Sequence, residues 1–250
     1  MADTVIEVTG LSKRFGDVLA VDDISFAVRA GAVTGLLGGN GAGKTTTIGM
    51  LLGLVLPTAG RIEMLGRDMA RERFAVLQRA NFSSPYVDLP HRLTVAQNLI
   101  VYARLYGLRR PRARVEALAR DLDLTDLLKR HTGNLSAGQK TRVALAKALI
   151  NAPDVLLLDE PTASLDPDTA DWVRGYLRRY QQQTGAAILL SSHNMQEVER
   201  MCDDVLMMRR GRIIDRGTPA ALIAAYGRQT MEEVFLDIAR GRDERLETAS

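Results

Sequence analysis

The chain has little of several features that define whole classes of protein. It contains one cysteine, Cys202, in 250 residues, which excludes an internal disulfide. We expect this thiol to be a small buried residue in a reducing compartment. No run reaches about 18 apolar residues, and no basic start followed by an apolar core opens the sequence, so neither a membrane-spanning helix nor a secretion signal is predicted. The net charge of +3 is too slight to argue for nucleic-acid binding, and no nucleic-acid partner is expected.

The positive charge is nevertheless unevenly distributed. One stretch holds Arg104, Arg109, Arg110, Arg112 and Arg114. A solvated helix face is the favoured interpretation of such a run, and a surface that meets anionic membrane lipids is the alternative.

What the sequence does contain is a glycine-rich run, GGNGAGKT, from Gly38 to Thr45. It follows an apolar stretch over 32–37 and precedes a helix-forming segment, so the order is strand, loop, helix. The spacing fits G-x-x-x-x-G-K-[ST], in which glycines let backbone N–H groups converge on phosphate oxygens. The pattern predicts a nucleotide triphosphate site, with a glycine-rich turn carrying a surface lysine as the alternative. The candidate ATP-binding residues are Gly38, Gly39, Asn40, Gly41, Ala42, Gly43, Lys44, Thr45 and Thr46.

Two residues of this loop carry specific chemistry. Lys44 is expected to hold the β and γ phosphates and is a candidate catalytic residue. Thr45 is expected to place its hydroxyl on a Mg²⁺ ion that bridges the same phosphates.

A second apolar segment, Val155 to Leu158, ends in the acids Asp159 and Glu160. This is typical of a Walker B strand in a parallel sheet that is buried on both faces. Asp159 is predicted to bind the metal, and Glu160 to polarise the attacking water as a general base. A strand end with two solvated acids is the alternative.

The run from Leu135 to Gln139, LSAGQ, separates this chain from other phosphate-loop proteins. Here the sequence resembles the ATP-binding cassette (ABC) ATPases, whose signature is usually LSGGQ. Ser136 supplies a hydroxyl and Gly138 an open backbone N–H at a helix start, with Gln139 beside them. The resemblance implies that this site acts on the nucleotide of a second ATPase subunit, in a homodimer packed head to tail around two ATP molecules. A plain helix cap by Ser136 is the alternative.

The resemblance assigns further residues in the family's order. Phe15 stands where an aromatic ring stacks on adenine, although a lone aromatic is more often a core residue. Asp166 matches the family's D-loop, and is otherwise a turn and helix cap. His193 matches the switch histidine, which implies a hydrogen bond to the γ-phosphate and a part in orienting Glu160 and the water. Outside this context His193 would be an ordinary loop residue.

One family residue is missing. The glutamine that should follow the segment Ala80 to Ser83 is replaced by Ser84 or Pro85. A serine is much shorter than a glutamine, so we expect Ser84 to reach the metal only through water.

The resemblance implies an α/β fold: a RecA-like P-loop NTPase core with a mostly parallel sheet, an N-terminal antiparallel β subdomain and an inserted α-helical subdomain. Alternating strands over Val5–Thr9 and Ser25–Val28, and helices over Leu93–Tyr106, Arg112–Asp121, Leu124–Lys129 and Lys140–Ile150, agree with it. The expected divisions are a core over 1–85 and 152–227, a helical subdomain over 86–151, and a C-terminal amphipathic helix and tail over 228–250. The helix is indicated by Met231, Val234, Phe235 and Ile238, which share one face.

The sequence therefore predicts an ATP-hydrolysing subunit that drives a separate polytopic membrane permease from the cytoplasmic face of the cell membrane. The run from Glu232 to Leu236, EEVFL, resembles the C-terminal part of exporter ATPases and favours an exporter. The alternative is a soluble ABC-type ATPase that acts on ribosomes or DNA, although such proteins usually carry two cassettes or a long coiled coil. A generic GTPase or kinase leaves LSAGQ unexplained and lacks an N-K-x-D motif.

Overall fold

A computed structural model describes residues 4–84, 88–163 and 165–240. The chain divides into two compact units, Met1–Arg73 with Ala187–Ser250, and Phe74–Ala186. The described strands are β1 Thr4–Phe15, β2 Val18–Arg29, β3 Val33–Leu37, β4 Ala59–Met64, β5 Arg67–Asp68, β6 Ala80–Ser83, β7 Val155–Asp159, β8 Ala187–Ser192, β9 Asp204–Arg209 and β10 Arg212–Gly217. The described α-helices are α1 Lys44–Leu51, α2 Met69–Leu77, α3 Val95–Leu105, α4 Pro111–Asp121, α5 Ala137–Ala148, α6 Pro167–Thr184, α7 Met195–Met201, α8 Pro219–Ala225 and α9 Met231–Arg240.

The first unit contains an antiparallel sheet with the strand order β2-β1-β4-β5. Apolar side chains such as Ile6, Val8 and Ile24 are buried on one face, because side chains alternate between the faces of a strand. The long β1–β2 pairing continues to Phe15 opposite Val18, with irregularities in its register. This sheet is the predicted antiparallel subdomain.

The same unit contains β3 at the centre of a second group of strands, in the order β10-β9-β3-β8. β3 pairs in parallel with both β8 and β9, and β10 returns antiparallel to β9. All five residues of β3 are buried, as expected for a parallel strand covered on both faces. Cys202 is buried, as predicted, and a Cβ on Gly35 of β3 would lie 2.9 Å from its sulfur.

The second unit contains the parallel pair β6 and β7, in register from Ala80 opposite Val155 to Ser83 opposite Leu158. Helices α3, α4 and α5 pack against one another in this unit. Thr94 and Gln97 form a capping box at the start of α3, which explains where that helix begins.

Several predicted elements differ from the described ones. The helix predicted over Leu124–Lys129 is wrong, because the segment forms only a short 3₁₀ turn over Thr125–Leu127 after Asp123, whose φ is +53°. The strands predicted over Val5–Thr9 and Ser25–Val28 are too short, because cross-strand pairing extends β1 and β2 through polar residues.

The arginine-rich stretch is not uniformly solvated. Arg104, Arg109, Arg110 and Arg112 are exposed, as the helix-face interpretation predicts. Arg114 instead donates hydrogen bonds from Nε to the carbonyl of Ile150 and from Nη2 to that of Leu149, so it satisfies the end of α5.

The predicted amphipathic helix at the C-terminal end is present as α9. It buries Met231, Val234 and Ile238 against neighbours in its own unit, including α7 and α8, while Phe235 is partly exposed. Residues 241–250 of the predicted tail lie outside the described part of the chain. Among the described helices, none combines the length and the hydrophobicity needed to cross a bilayer.

Candidate nucleotide-binding site

The glycine-rich loop joins the end of β3 to the start of α1, as predicted. Gly43 precedes the helix in a left-handed conformation, with φ +105°, which favours glycine. No described side chain caps α1, and its first turn carries no acid. Its first N–H groups and the positive end of its dipole are therefore suited to an anion.

Close packing fixes the beginning of this loop. A Cβ on Gly38 would lie 2.4 Å from the carbonyl oxygen of Met208 and 2.7 Å from the Cβ of Ala42. Gly211 donates its N–H to the carbonyl of Ala42 at 3.0 Å, which ties the loop to the β9–β10 turn. The back of the loop, Gly38–Ala42, borders a cavity of about 200 Å³ whose wall includes Phe235 and Ile238 of α9.

Lys44 is folded back over the loop. Its Nζ donates to the carbonyl of Gly38 at 2.6 Å and to that of Gly39 at 3.2 Å. These carbonyls hold the ammonium group beside the surface where phosphate oxygens are expected. Thr45 is exposed in the first turn of α1, and Thr46 is partly exposed.

Ser84 directly follows β6, and Asp159 is the last residue of the neighbouring parallel strand β7 in the second unit. Ser84 Oγ donates to Asp159 Oδ2 at 3.5 Å, and both residues are buried, with 6% and 7% exposure. Such a distance is at the long limit of a hydrogen bond. Ser84 also borders a cavity of about 330 Å³ whose wall includes Leu135, Ala137 and Lys140. Pro85, the other residue considered for the missing glutamine, lies outside the described residues.

Glu160 adopts a left-handed backbone conformation, with φ +51°. This conformation is uncommon for residues other than glycine, asparagine and aspartate, and strained residues of this kind concentrate at functional sites. The side chain is partly exposed, directly after the fully buried strand β7. The extended backbone of β7 therefore ends at this residue.

Ser136 and Gln139 form a capping box at the start of α5. Ser136 Oγ accepts from the Gln139 N–H at 3.3 Å, and Gln139 Oε1 accepts from the Ser136 N–H at 3.1 Å. Ser136 is thus the N-terminal cap of α5, as the alternative interpretation of this residue predicts. A hydroxyl that accepts one bond keeps its own proton for donation, so the cap does not preclude an anion contact. Gly138 is close to α6, because a Cβ there would lie 3.3 Å from Thr169.

Asp166 caps α6, as the second interpretation of this residue proposed. Its Oδ1 accepts from the Thr169 N–H at 3.0 Å, and this backbone hydrogen bond holds the pKa of Asp166 below its ordinary value. Asp166 is exposed, so other contacts of its carboxylate are sterically open.

Phe15 is not a core residue, since it is 49% exposed at the end of β1. The ammonium of Lys13 lies 4.7 Å from the centre of its ring and donates to the carbonyl of Leu56 at 2.8 Å. A cation over an aromatic face is attractive, so Lys13 helps to fix the ring. No local pattern in the sequence predicts this role for Lys13.

His193 follows the last residue of β8 and is exposed. Its two chain neighbours, Ser192 and Asn194, are hydrogen-bonded to the beginning of α7. The buried Glu197 that takes part in these bonds was not among the predicted site residues, because a glutamate within a short helix carries no sequence signal of burial.

The candidate residues divide between the two units. The first holds Phe15, the glycine-rich loop with Lys44 and Thr45, and His193. The second holds Ser84, Ser136, Gly138, Gln139, Asp159, Glu160 and Asp166.

A phosphate loop between a buried parallel strand and a helix, on a chain with a Walker B strand, defines a P-loop NTPase. The family model described as ABC transporter matches residues 21–163. The chain belongs to this family, and it is an ATP-binding, ATP-hydrolysing subunit of an ABC transporter.

Individual proteins resemble the chain over almost its whole length. The Nod factor export ATP-binding protein I of Burkholderia orbicola is 40% identical over 98% of this chain and 81% of its own length. The ABC transporter ATP-binding protein NatA of Bacillus subtilis is 36% identical over 95% of this chain and 99% of its own. A solved structure of an ATP binding subunit of an ABC transporter superposes with a TM-score of 0.85, 28% identity, and 94% and 99% coverage of the two chains.

Proposed function

We propose that this chain is the ATPase subunit of an exporter whose permease is a separate polytopic membrane protein. Two copies are proposed to close head to tail around two ATP molecules at the cytoplasmic face of the cell membrane. The name of the Burkholderia relative, which refers to export, supports the direction of transport. The division into a core over 1–85 and 152–227, a helical subdomain over 86–151 and a C-terminal part over 228–250 belongs to the same proposal.

The observation that carries the proposal is the exposed start of α5. Ser136 is exposed there, the first turn of the helix carries no acid, and the Ser136 hydroxyl keeps a proton to donate. These features support a second anion site at the start of α5, in addition to the loop before α1. In the proposed dimer, the start of α5 in one copy would bind the phosphates of the ATP held by the loop of the other copy.

On binding ATP, Lys44 would exchange its bonds to the Gly38 and Gly39 carbonyls for bonds to the β and γ phosphates. The N–H groups at the start of α1 would bind the same phosphates. Phe15 would stack on the adenine, and Asp166 would contact the opposite copy.

The oxygen donors available fit Mg²⁺. The Thr45 hydroxyl and the buried Asp159 carboxylate are hard ligands of the kind that this ion prefers, and Ser84 would act through a water. The chemistry that Mg²⁺ supplies when bound is neutralisation of phosphate charge.

Glu160 would accept a proton from the attacking water. A positioned general base of this kind contributes about 10²–10⁴ in rate. Its left-handed backbone, with φ +51°, supports this role, because strained residues of this kind concentrate at functional sites. His193 would donate a hydrogen bond to the γ-phosphate. It would also help to orient the attacking water toward the phosphorus atom.

Mixing two inactive variants tests the shared site. Ser136→Arg blocks closure, and Lys44→Ala removes the cation from the phosphates. A heterodimer of the two contains one site with an intact phosphate loop and an intact Ser136. Mixed with an excess of Ser136→Arg protein, the Lys44→Ala variant should regain ATPase activity.

The control mixes two differently tagged Lys44→Ala preparations, which contain no intact phosphate loop. Absence of rescue, when pull-down proves that heterodimers form, would show that each chain works alone. Co-purification from membranes tests the permease. If the native protein is recovered with ribosomes or DNA, and not with a polytopic membrane protein, the proposal that its partner is a permease is contradicted.

A further inference from the structure

The residues on both sides of His193 are hydrogen-bonded to each other and to α7. Ser192 Oγ donates to Glu197 Oε2 at 2.6 Å and accepts from the Asn194 N–H at 3.1 Å. Asn194 Oδ1 accepts from the Glu197 N–H at 3.2 Å. We name Ser192, Asn194 and Glu197 the histidine brace, because these bonds close on either side of His193.

The burial of this brace contrasts with the exposure of the histidine. Ser192 is 0% exposed and Glu197 is 1% exposed, whereas His193 is exposed. Burying a carboxylate is unfavourable unless hydrogen bonds compensate for the lost water. The other buried residues of α7, Met195, Val198 and Met201, are apolar. An apolar residue at position 197 would serve packing at least as well, so packing alone gives no reason for a glutamate.

We propose that Glu197 is a positioning residue for His193 and acts through Ser192 and Asn194. The inference rests on the proposed role of His193 at the γ-phosphate. The short bond from the Ser192 hydroxyl to a carboxylate is of the strong, charge-assisted kind. It fixes the residue before the histidine, while the Asn194 cap fixes the residue after it. The backbone of His193 is thereby held in one conformation, and the imidazole meets the phosphate without first losing conformational freedom.

The competing explanation is that the brace only stabilises the junction between β8 and α7. The two explanations differ in what they predict for a chain without the histidine. A positioning role disappears when His193 is absent. A purely structural role persists, because the junction remains.

The first experiment measures ATPase kinetics for Glu197→Leu, Glu197→Gln and Ser192→Ala, each with and without His193→Ala. With His193 present, Glu197→Leu and Ser192→Ala should lower kcat by about tenfold or more and leave the KM for ATP within about twofold, because a misplaced group loses rate and not binding. Glu197→Gln should retain most of the turnover, since its amide oxygen still accepts the Ser192 proton. Without His193, Glu197→Leu should cause no further loss.

Glu199→Gln is the matched control. Glu199 lies on the same helix, and its Oε1 accepts from the Met231 N–H at 2.6 Å, so it stabilises the start of α9. This variant should keep wild-type turnover.

The second experiment observes the histidine itself, so that it does not depend on residual activity. The chain has three histidines, and His91 and His131 serve as internal references in an NMR spectrum of ¹⁵N-histidine protein. Glu197→Leu should shift or broaden only the His193 signal, which is assigned from its disappearance in His193→Ala.

The outcomes separate the brace from the function on which it rests. Wild-type turnover by His193→Ala would overturn the role of His193 itself. An inactive His193→Ala together with full activity and an unchanged His193 signal in Glu197→Leu would overturn the brace alone. Changes in all three histidine signals, or a loss of activity equal in both backgrounds, would assign Glu197 to folding.

Discussion

Ser84 and Asp159 lie 75 positions apart in the chain, yet the Oγ of the first is 3.5 Å from the Oδ2 of the second. The parallel register of β6 with β7 brings them together, because it places the residues after Ser83 and after Leu158 side by side. Ser84 therefore lies beside the proposed metal ligand Asp159. Its side chain is short, and its hydrogen bond to Asp159 is at the long limit of such bonds.

Ser84→Ala should reduce the catalytic efficiency of the isolated subunit by less than about tenfold, or 1.4 kcal/mol. The reason is that a water can replace a hydroxyl that contacts Asp159 only at 3.5 Å. Steady-state ATPase assays test this, with Ser83→Ala on the other face of β6 as the control. Abolished hydrolysis in Ser84→Ala would mean that the serine binds the metal directly.

Glu160→Gln should retain ATP binding and lose about 10²–10⁴ in turnover, because the amide preserves the shape of the side chain but is not a base. The variant should accumulate as an ATP-bound dimer, visible by size-exclusion chromatography. Asp154→Asn is the control at the opposite end of β7, where the carboxylate pairs with Arg79 in an exposed ion pair. Near wild-type hydrolysis by Glu160→Gln would refute its assignment as the base.

Base selectivity should be loose. Phe15 offers a half-exposed ring, held by Lys13, and stacking reads little of the base's identity. GTP should therefore be hydrolysed, and Phe15→Ala should raise the KM for both nucleotides more than it lowers kcat. Phe74→Ala, at a phenylalanine that is 73% exposed elsewhere, is the control. A preference for ATP beyond about a thousandfold would require hydrogen-bond readout of the purine edge.

Local sequence patterns predict part of the fold and of the candidate site, but they do not predict where tertiary packing changes the course of the chain. The loop before α1 and the strand before Glu160 were predicted because glycine spacing and an apolar run are local signals. The cap roles of Ser136 and Asp166 were likewise foreseen from residue type. The failed helix over Leu124–Lys129 shows the limit, because Leu122 and Leu124 are fully buried and the chain turns at Asp123 to bury them.

Two contacts described here could not be predicted from the sequence. Nothing in the pattern around Phe15 indicates that Lys13 is held over the ring by the Leu56 carbonyl. The buried bond between Ser192 and Glu197 depends on how α7 folds back on the end of β8. Both arise from tertiary packing, which overrides local preference.

Gly38→Ala should destabilise the first unit. The added Cβ would lie 2.4 Å from the Met208 carbonyl oxygen, and a backbone atom cannot rotate away as a side chain can. The resulting strain should cost about 1–3 kcal/mol, which corresponds to a fall in Tm of about 2–12 °C for a chain of this size. ATP affinity should fall as well, because the loop must shift to relieve the contact.

Gly39→Ala is the matched control for this stability measurement, since a Cβ there meets no described atom within 4 Å. Thermal unfolding without nucleotide should therefore separate the two neighbouring glycines, with Gly39→Ala close to wild type and Gly38→Ala lower. Equal Tm values for Gly38→Ala and the wild type would show that β9 can move away from the loop. In that case the tight approach of Met208 is not what places a glycine at the start of the phosphate loop.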